Sequence, residues 1–421
     1  MSIRIVFEPT GYHFLNVGDV AMWQIAVRRL RELWPDAVVQ VIADDPELLA
    51  RYLPGTLLVP AEGQRRWLYR GVSGREPRGL PDWPRRTLAR VEERARVRAS
   101  RPLLTATRAA QRARGGDVDA IEAYLAAIEH ADALVVSGGG SITDAFAASA
   151  QVVLREVELA TRRATPTVMF GQGIGPIVDT DLRRTAARVL PQVDAINVRE
   201  ARTSPGLLTS LGVDPSRICV TGDDALELAH GMPPAQGDAL GVNVRVAGYS
   251  PLSGTAAAQL GRTILAAAAD CAARLVAVPI SRHPGESDLE TVRGMFREVE
   301  GTDAETAEDA VAAAARCRVV VTGSYHAGVF ALGQGIPCVC LVTSPFYRDK
   351  FLGLAGQFPG GCSVVDLAGP DVSARLSASI GAAWERADDV RDDLRAAAGR
   401  QVEASRAAYV QARDLIEQRR R

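Results

Sequence analysis

Short β-branched runs alternate with long Ala/Leu/Arg-rich stretches along almost the whole chain, and this alternation restricts the fold more than any other feature. Ile3–Glu8, Val38–Ala43, Ala133–Ser137, Pro166–Gly171, Ala195–Arg199 and Ile218–Thr221 read as strands. Helical patterns lie between them, among them Val20–Trp34, Ile142–Ala164 and Leu182–Leu190. A second series begins near Ala239. Its strands are Gly241–Arg245, Arg274–Pro279, Val319–Thr322 and Cys338–Val342, and its helices include Thr255–Ala273, Asp288–Val299, Ala307–Arg316 and Ala327–Gly333. Parallel strands need a crossover of helix length, so strands that take turns with helices form doubly wound parallel sheets. The expected fold is α/β, with two Rossmann-like doubly wound domains facing a cleft. A chain of 421 residues is also longer than one ordinary core accommodates. The Pro/Gly-rich junction Gly231–Gly237 divides the two series, giving domains at 1–235 and 236–385. The helical stretch Leu376–Arg421 supplies a last element, 386–421, that packs back across the junction.

Composition narrows the class of protein. Hydrophobic residues make up 47% and charged residues 24%, as in ordinary globular proteins. A net charge of −1 gives no global attraction to nucleic acid, and no RNA-binding motif is present, so a nucleic-acid partner is not expected. No run of about 18 apolar residues occurs, and the chain opens on a short strand rather than a secretory signal. The expectation is a cytoplasmic protein. Its six cysteines form no CxxC pair and no zinc spacing, so they read as reduced, buried thiols, with Cys338 and Cys340 on one strand face. No metal and no cofactor are called for.

One segment stands apart. Residues 61–114 hold 15 Arg against 5 acidic residues, with Trp67, Tyr69 and Trp83 interleaved. Such an insert could be a surface helix, a lid over an anionic substrate, or a peripheral contact with an anionic lipid surface carrying a lipid-linked glycan.

In parallel α/β sheets ligands bind beyond the carboxyl ends of the strands, so the residues following each strand are the candidates. After the first strand come Asn16, Gly18 and Asp19, opening a helix that Asn16 or Asp19 can cap, with His13 on the same loop. After Ala133–Ser137 come Gly138, Gly139, Gly140 and Ser141, whose amides can face an anion or a sugar oxygen if they open a helix. Their spacing is not GxGxxG. Arg199 and Arg245 end strands, where a guanidinium can grip two oxygens of a carboxylate or phosphate. Ser281, Arg282, His283, Glu286 and Asp288 form a polar loop after Arg274–Ile280. The strongest candidate is His326, in the first turn of the helix that follows Gly323-Ser324-Tyr325. A histidine there can move a proton near neutral pH.

Lys350 is the single lysine beside 48 arginines. It follows the strand Cys338–Val342 on what reads as a loop, and that loop and His326 should open on the same sheet edge. A compact ammonium is not interchangeable with a guanidinium, so a lone lysine near a histidine suggests a point-charge contact.

Several of these pieces, in order, resemble the polysaccharide pyruvyl transferase family. They are Asn16-Val-Gly18-Asp19, Gly138-Gly-Gly-Ser141, Gly171-Gln-Gly-Ile-Gly-Pro176, Val198-Arg199-Glu200 with Ser204, Val220-Thr-Gly222-Asp223, and Gly323–Gly328 with Gly333-Gln-Gly-Ile-Pro337. The resemblance implies a GT-B-like fold and transfer of an enolpyruvyl unit from phosphoenolpyruvate onto two sugar hydroxyls, giving a pyruvate ketal. By that resemblance His326 is the general acid and Arg199 holds the donor; Arg245, Lys350, Arg282 and Ser324 are further donor-side candidates read from the residues themselves. Asn16, Asp19, Gly139, Gly140 and Ser141 would face the acceptor from the first domain. The chain departs from the family in one place. The family commonly has Arg-x-His at the motif histidine, and here Ser324 occupies the arginine position. Lys350, Arg348 or Arg282 could supply the missing charge. The alternatives are a GT-B-type glycosyltransferase using a nucleotide sugar and a non-catalytic glycan-binding relative.

Overall fold

The computed structural model describes residues 2–11, 13–68, 105–109, 118–233, 237–248, 250 and 252–420. Most of the Arg-rich segment, including Tyr69 and Trp83, lies outside the described residues. Its first part is a helix, Ala61–Leu68, that buries Trp67 and Leu68.

Two parallel sheets organise the chain. The first contains β1 (Arg4–Glu8), β2 (Val38–Ala43), β3 (Leu57–Pro60), β4 (Ala133–Val136), β5 (Gly139–Ile142), β6 (Thr167–Ile174), β7 (Ala195–Val198) and β8 (Ile218–Val220). Its order is β3-β2-β1-β4-β6-β7-β8, with β5 paired to β6. The second contains β9 (Ala239–Asn243), β10 (Leu275–Ala277), β11 (Val299–Glu300), β12 (Cys317–Thr322), β13 (Cys338–Val342) and β14 (Cys362–Asp366), in the order β11-β10-β9-β12-β13-β14. Each order winds outward in both directions from a central strand. The switch points, where a crevice must form, lie between β1 and β4 and between β9 and β12.

Burial on both faces explains the near-continuous apolar strands. Ile5 and Phe7 of β1 enter one core while Val6 enters another. In β12, Val319 and Val321 face a third core and Val320 turns into the first. That first core is shared by both sheets and by the helices between them. Leu57–Pro60 and Cys362–Asp366 escape the sequence pattern because they are edge strands with partly exposed residues.

Three local expectations are corrected. Gly138–Ser141 do not open a helix: Gly139–Ile142 form a strand on β6, and the helix behind them runs Ala147–Thr161. A Cβ on Gly138 would lie 2.4 Å from the Gly171 carbonyl oxygen, so the backbones meet at a distance only glycine permits. Lys350 is not on a loop but inside a helix, Pro345–Gln357. Pro345 is pre-set for the first helical position, and Phe346, Tyr347, Phe351 and Leu354 give that helix a buried face. The C-terminal helix is one unbroken element of 49 residues, Val372–Arg420, with no start at 386. It buries Leu376 and Ile380 in the second sheet's outer core and Tyr409, Ala412 and Ile416 in the shared core.

Backbone hydrogen bonds join the two halves directly. Val17 N donates to Ile280 O at 3.0 Å and Arg282 N donates to Leu15 O at 2.8 Å. Asn16 and Ser281 thereby form an antiparallel bridge. Among the described residues no helix is long and apolar enough to cross a membrane.

Candidate active site

A cavity of about 310 Å³ opens between the carboxyl ends of the two sheets. Asn16, Asp19, Gly139, Gly140, Ser141 and Arg199 line it from the first half, and Arg245, Ser324, His326 and Lys350 from the second. The loops after β1, β4, β9 and β12 flank the two switch points, which is why residues so distant in sequence converge.

Arg282 is the exception. Its guanidinium donates to Phe14 O at 3.3 Å and to the Tyr52 hydroxyl at 2.9 Å, fastening the joint between the halves. Asn16 has a second duty. Its side chain accepts from Gly18 N at 3.0 Å and Asp19 N at 3.3 Å, capping the helix Val17–Leu33.

His326 is buried at the second position of the helix Tyr325–Gly333. Its Nδ1 lies 3.8 Å from an Asp19 oxygen and its Nε2 lies 3.7 Å from an Asp223 oxygen. Both separations exceed a hydrogen bond, and Nε2 has no partner. The imidazole therefore spans the two halves, held between carboxylates without being tied to either. Gly18 makes this possible: a Cβ there would sit 2.2 Å from His326 Cγ.

Arg199 is buried and keeps one half of its fork for the cavity. Nη1 donates to Asp223 at 3.2 Å, while Nη2 is buried without a partner. Its guanidinium stacks 4.0 Å above the Tyr325 ring centre. Glu200 and Ser204 hold the turn that carries it. The Glu200 carboxylate accepts from Arg202 N, Thr203 N and Ser204 N at 2.6, 2.9 and 2.7 Å. Burial raises the Glu200 pKa, but the hydrogen bonds from Ser204 and Thr203 outweigh it, leaving the carboxyl below its usual range.

Lys350 comes in beside Arg199. A Cβ on Gly140 would lie 2.9 Å from Lys350 Nζ and 3.1 Å from Arg199 Nη2, so both cations converge on that glycine. Among the described residues nothing lies within hydrogen-bond or ion-pair distance of the ammonium. Instead Nζ sits 4.6, 5.5 and 5.6 Å from the ring centres of Phe346, Tyr325 and Tyr347. Loss of hydration and the neighbouring Arg199 charge bring Lys350 down from 10.5 to about 7, against the opposing pull of Asp19 and Asp223. Arg245 is better neutralised: Nη1 donates to Asp288 and to Glu286 O, both at 3.1 Å.

The sequence pattern assigned no specific role to four groups of consequence, although His283, Asp223 and Tyr325 stand in stretches it singled out. Asp223 is fully buried and connects Arg199 to His326. Burial raises its pKa, but the neighbouring His326 and Arg199 hold it low. Tyr325, buried in the shared core, presents its ring to both cations. Phe146 and Phe346, from opposite halves, meet edge to face at 5.8 Å and wall the cavity. His283 lines the cavity with its pKa lowered, first by burial and then by Arg245. Position after a strand is a usable signal for His283 and Asp223. None points to an aromatic wall built by two domains.

The ordered sequence pieces and this constellation agree with one comparison: the model of the polysaccharide pyruvyl transferase family matches residues 16–345. The chain belongs to that family. It is accordingly a transferase of the polysaccharide-pyruvylating kind. A search of curated proteins gives no match. Solved structures resemble it in fold. A Listeria monocytogenes protein assigned as a UDP-N-acetylglucosamine 2-epimerase shares 13% identity at a TM-score of 0.56, covering 98% of each chain. The UDP-GlcNAc 2-epimerase of Neisseria meningitidis shares 11% at 0.54, covering 98% of this chain and 99% of its own. The glycotransferase of kitacinnamycin shares 16% at 0.51, covering 99% of each. At such identities they establish the GT-B-like two-sheet architecture alone.

Proposed function

We propose that this pyruvyl transferase moves the enolpyruvyl unit of phosphoenolpyruvate onto two hydroxyls of one sugar of a glycan or glycosylated acceptor, forming a pyruvate ketal. The observation that carries the reading is the pair of uncommitted cationic groups, Lys350 Nζ and Arg199 Nη2, beside a histidine whose Nε2 has no partner. A donor with a carboxylate and a phosphate needs two such cations, and a proton must reach its methylene carbon. In this reading Lys350 takes the place of the family arginine that Ser324 lacks, and Arg245 is a second-line contact already balanced by Asp288.

The chemistry runs in balanced steps. His326 gives its proton to the methylene carbon, and the neighbouring carbon becomes an oxocarbenium centre. One acceptor hydroxyl adds there and loses its proton. Phosphate departs, regenerating an oxocarbenium centre, and the second hydroxyl adds and loses its proton. In this reading Asp19, whose carboxylate lies 3.8 Å from His326 Nδ1, takes up a hydroxyl proton, and Ser141, whose hydroxyl has no partner, orients the acceptor. The first domain, 1–235, would serve the acceptor and the second, 236–385, the donor, although Arg199 and Gly140 bring the first domain into the donor's charge cluster. A lipid-linked acceptor would be met by a membrane contact through the Arg-rich insert, most of which lies outside the described residues.

Thermal-shift titration tests the donor, since a ligand that binds the native state raises stability. Phosphoenolpyruvate should raise the melting temperature, and His326→Ala should keep the shift while losing phosphate release. A shift with UDP- or GDP-sugars and none with phosphoenolpyruvate would replace this reading with nucleotide-sugar glycosyl transfer.

A further inference from the structure

Three of the six cysteines meet in the second domain. Cys338 and Cys340 point to the same side of β13, and Cys362 begins β14 in register with Cys338. The Cys338 and Cys340 sulfurs are 3.6 Å apart, and those of Cys340 and Cys362 are 3.5 Å apart. All three sulfurs lie within 4.8 Å of one another. None of the three lines the active-site cavity. The cluster packs beneath the helix that carries His326, where a Cβ on Gly328 would be 3.8 Å from Cys338 Sγ.

We propose that Cys338, Cys340 and Cys362 form a three-thiolate site for one soft d10 cation of the Cu+ or Zn2+ class. Geometry supports this. At a metal–sulfur distance of about 2.3 Å, sulfurs lie about 3.8 Å apart in a tetrahedral site and about 4.0 Å apart in a trigonal one. Two of the three sulfur pairs, at 3.6 and 3.5 Å, already approach that spacing, and the third pair lies within 4.8 Å. The ligand set is sulfur alone, which favours soft cations over Mg2+ or Ca2+. Cys362 is the least buried of the three residues, while Cys338 and Cys340 are fully enclosed. The spacing of these cysteines, a CxC on one strand and a third residue 22 positions on, hides the site from sequence inspection because the sheet register closes it.

The test uses the full reduced chain with Cd2+ as a spectroscopic probe, Zn2+, and Cu+ under anaerobic conditions, each against a moderate chelator. One bound ion per chain is expected in the native mass spectrum, with thiolate-to-metal charge-transfer absorbance for Cd2+. Cys362→Ser should reduce occupancy from one equivalent to none, while the distant Cys271→Ser leaves it unchanged. Cys340→Ser should act like Cys362→Ser. If that core substitution fails to fold, Cys362→Ser at the partly exposed position still decides. Retained occupancy in Cys362→Ser, or no bound ion in the parent chain, overturns the site. So does a chain lighter by two hydrogens that binds no metal, which identifies a disulfide instead.

Discussion

Donor binding should weaken steeply with alkali, and through one side chain. Lys350 loses its proton near pH 7 because burial and Arg199 disfavour the ammonium. It is about half charged at pH 7 and about 1% charged at pH 9. If binding requires the charged form of Lys350 beside the permanently charged Arg199, the apparent dissociation constant rises about 50-fold over that interval, roughly 2.3 kcal/mol. The interval lies above the second phosphate ionisation, near 6, so the ligand's own charge stays constant. His283 does not confuse the profile, since its pKa is already lowered and it remains neutral throughout. Isothermal titration with phosphoenolpyruvate at pH 7, 8 and 9 gives the slope. Lys350→Met, similar in length and uncharged, should bind weakly at pH 7 and show no slope. A flat profile in the parent protein, or an undiminished slope in Lys350→Met, refutes the assignment.

Three further outcomes follow from the same geometry. Gly18→Ala places a methyl 2.2 Å from His326 Cγ and should lower turnover by about 100-fold while donor affinity holds, as stopped-time phosphate release and titration would show. Ser324→Arg in the Lys350→Met background should restore donor affinity and keep it constant to pH 9, because a guanidinium does not titrate there; calorimetry of the double variant checks it. Glu227 is raised by burial but lowered more by Arg406 and Arg29, reaching about 2. Its stabilisation is therefore complete above its ordinary 4.5 and is lost as pH falls toward 2. Glu227→Gln should cost roughly 3 kcal/mol at pH 7 in urea unfolding, with the difference shrinking below pH 4.5.

The sequence carried most of the site but little of its support. His326 was visible because a strand, a glycine and a helix start fix its place without knowledge of any distant residue. Asp19, Arg245 and Gly139–Ser141 follow from the same rule, since strand ends at a switch point must converge. Arg282 obeys that rule too, yet its guanidinium turns toward Phe14 and Tyr52, and only the joint between the sheets reveals this. Lys350 was found by rarity, while its helix was hidden by a start rich in Pro and aromatic residues that reads as a loop. Gly18 and Gly140 carry meaning that no local pattern holds. Each is small because a side chain from the other half of the molecule occupies the space where its Cβ would be.

The bridge between Asn16 and Ser281 has a mechanical consequence. It ties the halves just beyond β10, whereas Phe146 meets Phe346 just beyond β13, three places away in the second sheet's order. A joint held by main-chain bonds behaves as the pin of a hinge, and an edge-to-face contact between two rings is the kind that parts easily. Rotation about that pin would swing the aromatic rim apart while Asn16 and Ser281 stay in place. In the proposed reaction, an acceptor sugar inside a long chain would then reach the cavity sideways, between the rings, without being threaded by its end.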